Sequence, residues 1–156
     1  GRPEPQHESR VGMKKLLIAL VTVAVVGLGA YLAKDVAQPV HLSVPACGID
    51  VECEEVFPLR SDRLQAVIDK PGIAACYGKY ILDHAGQEFR GLWNIQPGDQ
   101  VIFDTVRYRC TAITTGYSDR GIRVKAGQLP DADLYLCTCV PGGEEFEIYI
   151  VALNKE

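Results

Sequence analysis

Near its C-terminus the chain reads LYLCTC (Leu134–Cys139), breaks at Pro141-Gly142-Gly143, and resumes as EFEIYIVALN up to Asn154. Two β-branched and aromatic runs divided by turn residues predict two strands, and no helix of useful length fits there. The thiols of this stretch are two residues apart, so a strand places Cys137 and Cys139 on one face, with Cys139 at the rim and Cys137 further in. That geometry asks what the rim thiol does.

Upstream, HLSVPACGIDVECEEV (41–56) reads as two short strands broken by Pro and Gly. FPLRSDRLQAVIDKPG (57–72) predicts one short helix, with Ser61 as its cap, Leu64, Val67 and Ile68 at helical spacing, and Pro71-Gly72 as its stop. ACYGKYILDHAG (75–86) ends a strand at a turn, and EFRGLWNI (88–95) is helical or irregular. QPGDQ (96–100) turns the chain into a strand at VIFDTVRYRCTAITTGY (101–117), and SDRGIRVKAGQLPDAD (118–133) is loop-like with room for a short strand. Short strands, few helices and no repeats predict a small all-β barrel or sandwich.

At the other end, Leu16 to Ala33 is an apolar run of 18 residues without a charge, preceded by Met13, Lys14 and Lys15. As a helix it would span roughly 27 Å, close to a hydrocarbon core of ~30 Å. The lysines favour an N-terminus inside the cell. A cleavable signal peptide competes, but its apolar region is usually only about 7–15 residues. The expected organisation is a tag or upstream extension over 1–12, an anchor or signal segment over 13–34, a linker over 35–39 and one exported domain over 40–156. The formal charge of −4 and the lack of a basic stripe with interleaved aromatics set nucleic acid aside.

The six cysteines of an exported domain are disulfide candidates, although spacing pairs none of them. Cys47 and Cys53 are near enough in sequence to staple a local loop; Cys76 and Cys110 lie in separate segments. The Cys-x-Cys spacing is not that of structural zinc, and no second Cys/His pair accompanies it, so no metal and no cofactor is expected. A redox pair would want Cys-x-x-Cys at a helix N-terminus. Burial as two small hydrophobes remains the plain alternative to a nucleophile. A nucleophile needs a base, and His84 also lies at a strand-to-turn transition. Trp93 is expected in a core cluster with Phe89 and Leu92 rather than in a peptide groove, and Asp99 is expected as a turn residue.

These residues, in this order, resemble the sortases, the membrane-anchored cysteine transpeptidases of mainly Gram-positive bacteria. The matching positions are His84, then Phe89 with Leu92, then Gly98 with Asp99, then Leu136, Cys137, Thr138 and Cys139, and finally the closing strand IYIVAL. The resemblance covers about Val40 to Leu153. It implies a closed eight-stranded β-barrel with one or two short helices behind an N-terminal transmembrane helix. It further implies Cys139 as nucleophile and His84 as acid/base. The implied activity is cleavage of an exported protein at a Leu-Pro-x-Thr-Gly-like signal through a thioester, then transfer to an amine on peptidoglycan or a pilin. The implied location is the cell membrane, single-pass through Leu16 to Ala33, with the C-terminal domain outside.

Two departures stand out. The family's catalytic arginine at the start of the last strand is replaced by Glu147 or its neighbours Glu144 and Glu145, and Asp83 stands where a glycine usually precedes the histidine. A carboxylate there would disfavour both thiolate and oxyanion. Candidates for oxyanion or substrate support are therefore Thr138, Arg107, Arg109 and Arg123, with Arg120 beside the last. The alternative is a sortase-like binding or structural domain that is catalytically impaired, membrane-tethered and disulfide-stapled. A Cys137–Cys139 redox couple is remote, because neighbouring same-face strand positions lie near or beyond the disulfide range of ~4.4–6.8 Å between Cα atoms.

Overall fold

The computed structural model describes residues 39–119, 123–124 and 129–156. The expected tag, anchor and linker up to residue 38, and Arg120, lie outside the described residues. No helix among the described residues is long and apolar enough to cross a membrane.

Among the described residues nine strands follow in order: β1 (Val40–Val44), β2 (Ile49–Glu55), β3 (Ile73–Tyr77), β4 (Tyr80–Leu82), β5 (Gln100–Phe103), β6 (Val106–Asp119), β7 (Arg123–Val124), β8 (Leu134–Cys139) and β9 (Glu147–Lys155). They pair in the order β5-β1-β2-β3-β4-β8-β9-β6-β7, and a further pairing of β5 with β6 joins the ends. Eight strands thus close a barrel, and β7 is appended to β6. Closure removes the unpaired edges that an open sheet of this length would expose.

Alternation along each strand decides what fills the barrel. Leu42 and Val44, Val51 and Cys53, Ala74, Ile81, Val101, Cys110, Leu134 and Leu136, and Val151 and Leu153 form the buried interior cluster, plugged by Phe89, Leu92 and Ile95. The opposite parity of β8 and β9 is apolar too: Tyr135, Cys137, Ile148, Ile150 and Ala152 form an outer cluster with Ala132. Both faces of β8 are therefore buried, which is why LYLCTC reads as a continuous apolar run.

Two pairings are parallel, β2 with β3 and β4 with β8. A parallel pair needs a crossover, and between β2 and β3 it is the single α-helix among the described residues, α1 (Ser61–Ile68). Leu64 and Val67 of α1 pack with Val56 and Ala75 on the outside of the barrel. The expected cap is corrected: Arg60 is the extended N-cap and makes no side-chain cap bond, while Ser61 is the first helical residue.

Two sequence segments hold hairpins rather than single strands. β3 and β4 turn at Gly78, and β5 and β6 turn at Asp104-Thr105, both with positive φ (47° and 66°). Two consecutive left-handed residues are the twist-matched hairpin turn, normally signalled by Asn-Gly, and threonine conceals it. The segment 88–95 contains only a 3-10 turn over Leu92–Asn94. Asp99 is a turn residue: its Oδ2 accepts from Gln96 N at 2.9 Å.

Candidate functional site

β4 and β8 run side by side with Leu82 opposite Cys137. The alignment continues past the strands' ends, since Asp83 N donates to Cys137 O at 3.4 Å and Thr138 Oγ1 donates to Asp83 O at 2.7 Å. One residue further on each chain are His84 and Cys139. The parity of the parallel pair sends both to the outer face, where they line a common cleft of about 280 Å³. Leu82, Cys137 and Ile148 form its apolar floor, Ser61, Leu64, Gln65 and Ile68 of α1 form one wall, and Ser118 and Phe146 close the other side. The α1 residues are spaced i, i+3, i+4, i+7, the face that the crossover turns toward the barrel.

Cys139 is exposed, whereas Cys137 is fully buried and its thiol is pushed up to about 12 by burial. Burial likewise pushes Cys53 up to about 12 and Cys76 and Cys110 up to about 11, and raises Cys47. These five thiols stay protonated at neutral pH and are poor nucleophiles. All six cysteines are free, the staple expected from Cys47 and Cys53 included.

His84 is one-third exposed and is held from α1. Its Nε2 lies 3.0 Å from Asp69 Oδ1, and Gln65 Nε2 donates to the same oxygen at 2.6 Å. These hydrogen bonds from His84 and then Gln65 hold the Asp69 carboxyl below the usual carboxylate range. Neither residue is evident from the sequence as a partner of His84. The available signal is a polar Gln65 inside the apolar stripe of the helix, with Asp69 one turn on.

The remaining candidates are placed as follows. Thr138 is buried and its hydroxyl proton is committed to Asp83 O, so it ties β8 to β4 and has no proton left for an oxyanion. Thr138→Val is expected to lower stability by about 1–2 kcal/mol, with Thr138→Ser largely restoring it, as read by thermal unfolding. Arg107 and Arg109 are not brought to the cleft. Arg109 pairs with Asn154 across β6–β9, whereas Cys139 pairs with Ile148 on β9. Six residues of strand separate the two levels, roughly 20 Å. Arg109 donates to Gly98 O and pairs with Glu156, and Arg107 O accepts from Glu156 N, all at the far end of the barrel. Arg123 sits on β7 opposite Asp119, one position from the cleft residue Ser118 opposite Val124.

Glu147 opens β9 opposite Tyr117, and its Oε2 accepts from Glu144 N at 3.0 Å, so its carboxylate is turned back onto the β8–β9 turn. Among residues 39–118 and 129–156 no arginine lines the cleft. Trp93 is neither in the core nor in the cleft. It lies against Tyr149, ring centroids 4.3 Å apart, with over a third of its surface exposed, while Phe89 and Leu92 are fully buried.

Asp83 faces the barrel interior at 3% exposure. Glu88 N donates to its Oδ2 at 2.9 Å, and its Oδ1 is buried without a partner among the described residues. Burial pushes its carboxyl from an ordinary 3.8 up to about 6. The folded state thus holds the Asp83 proton more tightly than the unfolded chain. This contribution favours folding below pH ~4 and is lost as pH rises through ~4 to 6. The free energy at stake is roughly 3 kcal/mol at most. Asp83→Asn is therefore expected to raise the melting temperature at pH 7.5 and to change it little at pH 4. Equal changes at both pH values would remove the titration as the cause.

No protein-family model matches the chain, and no curated protein matches it. Solved structures do. Sortase E1 from Streptomyces coelicolor is 18% identical with a TM-score of 0.56, over 76% of this chain and 87% of that one. Sortase A from Listeria monocytogenes is 14% identical with a TM-score of 0.53, over 77% and 88%. Sortase C-1 from Actinomyces oris is 16% identical with a TM-score of 0.53, over 83% and 81%. They share with this chain a closed β-barrel, which here carries a parallel β4–β8 pair with a histidine and a cysteine in one outer cleft. The chain has the sortase fold.

Proposed function

We propose that the protein is a sortase-like cysteine transpeptidase, with Cys139 as nucleophile and His84 as acid/base. The observation that carries this reading is the exposed Cys139 thiol level with His84 at the ends of adjacent parallel strands, in one cleft. In the reaction, the Cys139 Sγ proton passes to His84 and the sulfur attacks a peptide carbonyl carbon. The C–N bond breaks as His84 returns the proton to the departing amine, leaving a thioester. An incoming amine attacks the thioester carbonyl and gives a proton to His84, and the C–S bond breaks as that proton returns to the departing Cys139 sulfur.

The apolar lining from Leu64, Ile68, Leu82, Phe146 and Ile148 suits a peptide with one branched apolar side chain, in keeping with a Leu-Pro-x-Thr-Gly-like signal. The structure of Streptomyces coelicolor sortase E1 carries a tripeptide in the active site, and a short peptide is the ligand class proposed here. The acceptor would be an amine on peptidoglycan or a pilin. Leu16 to Ala33 would anchor the chain in the cell membrane with the barrel outside, and Arg123 is the arginine candidate for oxyanion support.

The test is the pH dependence of Cys139 alkylation, read by peptide mass mapping on wild type and His84→Ala. Site-selective labelling at neutral pH whose profile shifts when His84 is lost is the expected result. A Cys139 that labels only as fast as a free thiol, with the same profile in both proteins, would sink the reading. The second reading, a sortase-fold binding domain without turnover, is favoured by the carboxylates Glu144, Glu145 and Glu147 at or just before the start of β9, where the family's arginine is expected. It expects peptide binding without thioester formation.

A further inference from the structure

The histidine of this cleft is not held by the barrel that carries it. The group that fixes it comes from the crossover helix: Asp69, the C-cap of α1, puts Oδ1 3.0 Å from His84 Nε2. A carboxylate oxygen brings no proton, so the contact requires the proton on Nε2. Gln65 Nε2 lies 3.4 Å from that same ring nitrogen and 2.6 Å from Asp69 Oδ1. Its amide hydrogen therefore goes to Asp69, which leaves Nε2 to donate and steadies the carboxylate that receives it. Among the described residues His84 Nδ1 has no hydrogen-bond partner, so the basic lone pair of the ring remains available on the nitrogen that Asp69 does not engage.

We propose that Asp69 is a positioning residue for the Cys139–His84 pair, fixing the Nε2–H tautomer with the help of Gln65 so that Nδ1 receives the thiol proton. This rests on the functional reading above. When the proton moves from Cys139 Sγ to Nδ1, the ring becomes a cation flanked by the Asp69 carboxylate, and no other reactant is consumed. A carboxylate behind the imidazolium favours the thiolate–imidazolium state from the histidine side. The family's arginine would favour the same state from the sulfur side, and none lines this cleft among residues 39–118 and 129–156. The other ionisable groups facing His84 are its neighbour Asp83, whose carboxyl is buried beneath the strand end, and Cys139 itself; Glu88 acts on Asp83. Asp69 is more than half exposed, so its side chain is not a core support.

The experiment uses the full chain in detergent, as wild type, Asp69→Asn, Asp69→Ala, Asp69→Glu and His84→Ala. Long-range proton–nitrogen NMR of the imidazoles reads the tautomer, with the His84 signals identified by their loss in His84→Ala. Alkylation of Cys139 across pH reads the thiolate. Wild type is expected to show His84 as the Nε2–H tautomer, and Asp69→Ala a mixture. Asp69→Asn is expected to move the alkylation profile upward so that labelling below the midpoint falls about tenfold, with Asp69→Glu recovering part of it. A profile that responds to His84→Ala but not to any Asp69 variant, or a wild-type His84 protonated on Nδ1, overturns the positioning role and leaves the functional reading intact. A profile unmoved by His84→Ala as well overturns both.

Discussion

Cys139→Ser is expected to abolish peptide cleavage and acyl transfer, a loss on the order of 10⁴-fold or more, because removing a covalent nucleophile leaves only binding and orientation. Serine fits the exposed position, so the barrel should fold and melt as wild type does. Its hydroxyl, however, holds its proton far more tightly than a thiol, so transfer of that proton to a neighbouring imidazole is disfavoured. The measurement is intact-mass detection of a covalent adduct with a signal peptide, alongside turnover. Adduct in wild type and none in Cys139→Ser would establish the nucleophile. An undiminished rate in the variant would end the cysteine mechanism, and peptide binding without an adduct in either protein would favour the binding-domain reading.

The largest expected effect on stability is at Gly91. A Cβ built there would stand 2.2 Å from the backbone oxygen of Cys47 and 3.2 Å from its carbonyl carbon. The φ of Gly91 is −84°, so the constraint is space and not dihedral freedom. Both partners are backbone: Cys47 ends the 3-10 turn Pro45–Cys47 after β1, and Gly91 precedes the turn carrying the buried Leu92. Neither can swing aside as a flexible side chain would. Gly91→Ala is expected to cost about 3 kcal/mol or more, a fall of roughly 10 °C in melting temperature. Gly86→Ala, a few residues earlier in the same connection, meets nothing within 4 Å and is expected to change stability by no more than about 0.5 kcal/mol. Thermal unfolding of the two variants side by side separates close packing from a general intolerance of the loop.

What could be read from the sequence was carried by period and by order. The run LYLCTC and its turn located β8 and put Cys139 at a rim and Cys137 inside, because side-chain parity in a strand follows from spacing alone. The barrel, as against a sandwich, came from the ordered resemblance and not from the pattern, since both architectures show the same short alternating strands. Arg107 and Arg109 cannot be placed without register: a strand of fourteen residues reaches both ends of the barrel, and only the pairing with β9 shows which end they occupy. The hairpin at Asp104-Thr105 was hidden because its residues lack the usual turn chemistry. Asp69 and Gln65 were out of reach because their partner lies on another element, and helix-to-strand docking is a tertiary fact. Asp83 was seen as a departure from the family, but its interior position follows only from the β4–β8 alignment.

That alignment has a consequence for the order in which the protein comes into being. Because β4 and β8 run in the same direction, no tight turn can join them, and the chain between them must first lay down β5, β6 and β7. A chain still being synthesised therefore completes its histidine, its helix and most of its wall before the thiol exists at all. Cys139 arrives on β8, and only β9, which follows it, pairs with both β8 and β6 to shut the cylinder. Truncated products end without the thiol, or carry it on an unclosed sheet. The strand that closes the cylinder is thus also the strand that pairs with the segment carrying Cys139.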